Sequence, residues 1–154
     1  MQNRTHWAVE GRGAYVREGD ADVRIRCASF AETDAGLTLV GSASHNTAET
    51  DAFVAGYKEP AFTQLGSSLK LLLVAEGTAH VYPRMAPTCE WDTAAAHAIV
   101  TEAGGEVLAA GECDSRGALL PGVDWRTALR EAQPVRYNKP TPLNPFFVVY
   151  GARR

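Results

Sequence analysis

Cysteine is scarce in this sequence and forms no pattern. Cys27, Cys89 and Cys113 are odd in number, scattered, and unaccompanied by a C-x-x-C, which argues against a disulfide framework and against a zinc site. No apolar run approaches the length of about 20 residues that crosses a bilayer; the longest is "LKLLLVAEG". The opening "MQNRTHWAVEG" lacks the basic region and apolar stretch of a secretory signal. Neither sign of charge is in excess, with 15 Lys and Arg against 18 Asp and Glu. Neither a nucleic-acid polymer nor a charged interaction arm is therefore indicated. "EGDADV" has a D-x-D but not the glycine and distal glutamate of a calcium loop, and "GSSLK" lacks the glycine spacing of a P-loop. These absences leave a reduced, cytoplasmic enzyme or binding protein without a transmembrane segment.

What is present is one domain's worth of chain, residues 1–154, long enough to build a core. "HWAVEGRGAYVRE" reads as a hairpin across a Gly-Arg-Gly turn, followed by a strand at "DVRIRC". "GLTLVGSAS" (36–44) reads as a buried strand delivering a loop, and 47–57 has helical spacing with a Thr-x-x-Thr entry. A strand at "AFTQLGSS", an apolar helix over 68–76, a strand of about four residues at "AHVYPR" and a helix over 93–103 follow. "GEVLAA" is then a strand, "DWRTALREAQ" a short amphipathic helix, "NKPTPLNP" an extended loop and "FFVVYGA" a buried strand. Strands alternating with helices predict an α/β layered sheet.

Several residues carry candidate chemistry. Asp92 precedes the alanine-rich helix, and the residues alone favour it as the N-cap, with Gly104-Gly105 as the stop. If Ser67 caps its helix, Lys70 stands in the first turn, where a cation opposes the helix dipole unless an anion lies between them. His45, in "GSASHNTAE", stands at the end of a parallel strand, where open α/β sheets bind ligands, or else caps the next helix with Ser44 and Asn46. Arg84 follows a strand, and its guanidinium suits a phosphate or the face of a base. His6 and His80 have no obvious carboxylate partner, and His97 reads as packed or half-exposed.

The stretch "GSSLKLLLVAEGTAHVYPRMAPTCEWDTAAAHAIVTEAGG" resembles the second half of the Mg²⁺-dependent phosphatases of the inositol monophosphatase-like superfamily, through its W-D-x-A-A…E-A-G-G signature. "SH", "GSSLK", "YPR" and "LNPFFVVY" look most like the 3′(2′),5′-bisphosphate nucleotidases of the CysQ type. The resemblance implies a layered sheet-and-helix sandwich. It implies that Asp92 is a ligand of Mg²⁺, with small residues letting its helix pack close behind. His45, Ser67, Lys70, Arg84 and Asp92 would then bind the substrate, adenosine 3′,5′-bisphosphate, which is hydrolysed to AMP and phosphate. Within the superfamily, an inositol monophosphatase or a sugar bisphosphatase is the alternative, and a non-catalytic nucleotide-binding module is another.

The superfamily's glutamate pair and D-P-x-D-G-T motif do not occur in this sequence. The chain therefore looks like the carboxy-terminal, substrate-binding half without the amino-terminal, metal-binding half. That half, as a separate chain, or a second copy of this one is the protein partner this implies. A sandwich cut in two also predicts exposed apolar surface, and with it dimerisation, aggregation or marginal stability.

Overall fold

The strand Phe147–Tyr150 (β10) is buried along its whole length and splits the interior into two cores. In the computed structural model, which describes residues 4–42, 47–67, 69–130 and 132–154, β10 lies in a six-stranded sheet. Its neighbours are Val81–Arg84 (β7) and Glu106–Ala109 (β8), both antiparallel to it. Beyond β7 come Thr38–Ser42 (β5) and Ala61–Leu65 (β6), with β5 parallel to both. The two-residue strand Gln133–Pro134 (β9) closes the other edge. A run of consecutive apolar residues is what a strand covered on both faces requires, so "FFVVY" sits at the centre.

One core lies between this sheet and the helices Leu69–Ala75 (α2) and Glu90–Glu102 (α3), and contains Phe147 and Val149. The other contains Val148 and Tyr150 and packs against Ala48–Val54 (α1) and Trp125–Arg130 (α4). A three-stranded antiparallel sheet of Arg4–Val9 (β1), Gly13–Glu18 (β2) and Ala21–Ile25 (β3) covers the outer side of α3. Ser29–Phe30 (β4) pairs in parallel with Ala152–Arg153 (β11), a long-range contact with no sequence signal. The predicted α/β layered sandwich is what the chain forms.

Several expectations need correction. The N-cap of α3 is Cys89, not Asp92. Asp92 stands in the first turn, and its Oδ2 accepts the Cys89 N–H at 2.8 Å. It satisfies an orphan donor from inside the helix, so the helix begins three residues earlier than an Asp92 cap would place it. Ser67 lies two residues before Leu69, in the left-handed region at φ 71° and not in the extended conformation usual for an N-cap. The cap of α1 is Thr47, whose Oγ1 accepts the Thr50 N–H at 3.3 Å, so the Thr-x-x-Thr entry is present. Of the alanines of α3, Ala96 packs against the core, while Ala94, Ala95 and Ala98 are exposed, and Trp91 is 73% exposed. His6 does have a carboxylate partner, Glu76, 2.5 Å from Nε2 to Oε1 and also held by Arg4. His80 Nδ1 accepts the Thr38 N–H.

Glu102 joins the small sheet to α3. Its carboxylate accepts the N–H groups of Gly11 and Gly13 at 2.9 Å each, across the Gly-Arg-Gly turn. Both glycines have positive φ, 69° and 94°, which turns their N–H groups toward the helix end. Those two bonds hold the Glu102 carboxyl below the usual glutamate range. A lowered folded pKa contributes stability above the unfolded value and loses it as pH falls through the folded one. Glu102→Gln is therefore expected to remove part of the acid-side loss of stability and to speed exchange of the Gly11 and Gly13 amides. Urea titrations between neutral and acid pH, with amide exchange by NMR, check this.

Candidate functional site

The carboxyl ends of the parallel strands β5, β6 and β7 open on one cavity of about 390 Å³. That volume falls in the range of small-molecule sites, and the strand ends are where such sheets bind ligands. Ser42 from β5, Ser67 from the turn after β6, Lys70 from α2, Arg84 from β7 and Asp92 from α3 reach it. Tyr82 and Phe147 form its apolar wall. Four predicted site residues, Ser67, Lys70, Arg84 and Asp92, are thus brought together. The fifth, His45, lies outside the described residues.

Lys70 is 3% exposed, an unusual place for an ammonium. It donates to the carbonyls of Ser67 at 2.7 Å and Leu65 at 3.1 Å, and stands 5.2 Å over the ring of Tyr82. No carboxylate pairs with it among the described residues. An ammonium has three protons, and the described carbonyls take two. Burial first, and the charge of Arg84 second, hold its pKa below the ordinary lysine range. Those same two causes are what an arriving anion relieves.

Arg84 is partly committed, to the Pro87 carbonyl and the Tyr82 hydroxyl. Its Nη2 donates to the Pro87 carbonyl at 3.2 Å, while Nε is buried with no partner among the described residues. A buried donor left without an acceptor costs about 1–3 kcal/mol, a penalty that a bound oxyanion would remove. Beside it the Tyr82 hydroxyl is pushed up to about 12, chiefly by burial. Two cations face one carboxylate here, so the cavity favours an anion.

Asp92 is the cavity's lone carboxylate among the described residues. Among the described residues no three His, Cys, Asp or Glu side chains come together as a metal site. Asp92 fits as a single ligand of a divalent ion, with water and phosphate oxygens as the rest. A tightly held pair of ions needs further carboxylates.

Sequence reasoning missed Ser42, Tyr82, Thr93 and Phe147 as lining residues. Tyr82 stood in the quoted "YPR" and Phe147 in "LNPFFVVY", but only the pairing of β7 with β10 puts them in one wall.

Residues 1–140 match the Inositol monophosphatase family. A stretch of 69 residues is 49% identical to the 3′(2′),5′-bisphosphate nucleotidase CysQ of Escherichia coli (strain K12), covering 45% of this chain and 28% of that protein. The corresponding CysQ of Buchnera aphidicola is 48% identical over 79 residues, 51% of this chain and 29% of that one. Among solved structures, CysQ from Bacteroides thetaiotaomicron superposes with a TM-score of 0.72 at 34% identity, over 99% of this chain and 55% of that chain. SuhB of Mycobacterium tuberculosis shares the fold, with a TM-score of 0.60 at 21% identity, over 98% of this chain and 49% of that chain. The chain thus spans about half the length of these solved relatives.

Proposed function

The chain belongs to the inositol monophosphatase family of metal-dependent phosphatases, and from that premise we propose that it is the carboxy-terminal, substrate-binding half of a 3′(2′),5′-bisphosphate nucleotidase. The observation that carries this reading is the convergence of Ser67, Lys70, Arg84 and Asp92 on one cavity from separate elements. The substrate is adenosine 3′,5′-bisphosphate, and the products are AMP and phosphate. Likeness to the CysQ nucleotidases supports this substrate over an inositol phosphate or a sugar bisphosphate.

The residues divide the work by charge. The unpartnered Nε of Arg84 and the third proton of Lys70 meet phosphate oxygens. Ser67, in its left-handed turn, offers a hydroxyl at the same mouth; His45, outside the described residues, is assigned to the substrate with them by the resemblance alone. The apolar wall of Tyr82 and Phe147 excludes water on the inner side. Asp92 is one ligand of Mg²⁺, and the remaining carboxylates come from an amino-terminal half, the protein partner this reading calls for. When bound, the metal polarises phosphoryl oxygens and activates water. The three free cysteines suit a reducing, cytoplasmic setting.

Isothermal titration of this chain with adenosine 3′,5′-bisphosphate, with and without Mg²⁺, and with phosphate release followed in the same samples, tests the assignment. Binding without release is expected. Release at a clear rate would show that the chain completes a catalytic site by itself, and no binding at all would end the substrate assignment.

A further inference from the structure

Asn144 is 1% exposed, and nothing in the nucleotide-binding reading uses it. Its Nδ2 lies 2.9 Å from the Cys89 carbonyl, 3.1 Å from Thr93 Oγ1 and 3.2 Å from Thr88 Oγ1. Its backbone N–H donates to the Thr88 carbonyl at 2.9 Å. Its Oδ1, in contrast, is buried with no donor among the described residues. A buried amide with an unsatisfied oxygen is a poorer core residue than an apolar side chain of the same shape. Packing therefore does not account for it.

What Asn144 holds is the frame of Asp92. Cys89 supplies the N–H that the Asp92 carboxylate accepts, and Thr93 is the next residue along α3. The rest of the loop between β9 and β10 grips the same turn. Glu90 accepts the N–H groups of Asn138 and Lys139 at 3.0 and 3.1 Å and pairs with the Lys139 ammonium at 2.5 Å. The Tyr137 hydroxyl donates to Thr93 Oγ1 at 3.3 Å. The helix start is thus strapped from outside, and Asn144 is the strap's innermost bond.

We propose that Asn144 is a positioning residue for Asp92, fixing the direction of its carboxylate at the cavity through Cys89 and Thr93. The inference rests on Asp92 being a ligand-facing group, as the functional reading has it. Side chains that orient a metal's ligands typically change affinity by about 10–100-fold when lost.

The test compares Asn144→Leu, Thr93→Val and Thr93→Ser with the unaltered chain. Amide exchange by NMR is expected to speed up at Cys89 by about tenfold or more in the Leu and Val variants, with Val148 and Val149 unchanged. Thr93→Ser keeps the hydroxyl and is expected to retain the protection. In nucleotide titrations Asn144→Leu is expected to lose about 10–100-fold of the Mg²⁺-dependent gain in affinity while its Mg²⁺-free affinity stays within about twofold; Thr93 lines the cavity, so its variants are read by amide exchange alone. Uniformly faster exchange, or Thr93→Ser behaving as Thr93→Val, would overturn the proposal. Should the unaltered chain bind no nucleotide, the functional reading fails while the exchange data still decide the positioning role. The Thr93 pair carries the test if Asn144→Leu does not fold.

Discussion

Arg84→Ala is expected to weaken binding of adenosine 3′,5′-bisphosphate by about 10- to 100-fold, the range for hydrogen bonds to a charged partner of about 1.5–3 kcal/mol. The Nε of Arg84 is buried and unpartnered among the described residues, so the ligand oxygen gains a bond there without breaking one. Nη2 is anchored at Pro87 and the guanidinium also meets the Tyr82 hydroxyl, which leaves Nε to the anion. Arg84→Lys is expected to recover little, because a lysine is a point charge and does not present a planar fork. Lys70→Met adds a separate loss, since it removes the second cation and leaves the Leu65 and Ser67 carbonyls without their donor. Isothermal titration of the three variants decides the matter. Affinity unaltered in Arg84→Ala would place the phosphate elsewhere.

The same site makes a pH statement through Lys70. Burial, and then the Arg84 charge, keep its folded pKa below the ordinary lysine range. Grip on an anion needs the protonated form, so affinity is expected to fall as pH rises through that lowered value, sooner than for an exposed lysine. Stability runs the other way. Between the folded and unfolded values the unfolded chain binds more protons, and stability rises with pH across that window. In Lys70→Met both dependences disappear together.

Local chemistry made much of this legible in advance. The helices Ala48–Val54 and Leu69–Ala75 fall inside the expected 47–57 and 68–76, and the short strand at "VYPR" and the buried strand at "FFVVY" stand where spacing and composition put them. Residues near the ends of parallel strands gathered into a cavity because strand ends are where such sheets are open. Asp92 shows the limit of capping rules. An acid near a helix start can serve from the cap or from the first turn, and only the Cys89 N–H at 2.8 Å distinguishes them. Asn144 was illegible for a different reason. Its partners lie 51 to 56 residues away, and its neighbours, three prolines among them, read simply as an extended loop. Glu90 and Lys139, 49 residues apart, were hidden in the same way. Non-local polar bonds leave no periodic trace in a sequence, whereas apolar faces do.

Phe147→Ala is expected to be the most damaging single change to the fold. Phe147 is 1% exposed, and its ring meets that of Tyr82 edge-to-face at 6.2 Å. It stands on β10, the strand that both cores share. Truncating a buried phenylalanine typically costs about 3–5 kcal/mol, because the lost transfer energy is compounded by the cavity left behind. Against a total stability of about 5–15 kcal/mol for a domain, that lowers Tm by roughly 6–20 °C at this chain length. The loss also reaches the site, because Phe147 and Tyr82 line the cavity and Tyr82 lies beneath the Lys70 ammonium. Val148→Ala is the control: equally buried, one residue along the strand, but facing the core away from the cavity. It is expected to lower Tm while leaving the nucleotide affinity of the folded chain intact, whereas Phe147→Ala lowers both. Thermal unfolding and titration at a temperature where each variant is folded separate the two effects. Equal loss of affinity in both variants would mean that β10 acts on the cavity through stability alone, and not as its wall.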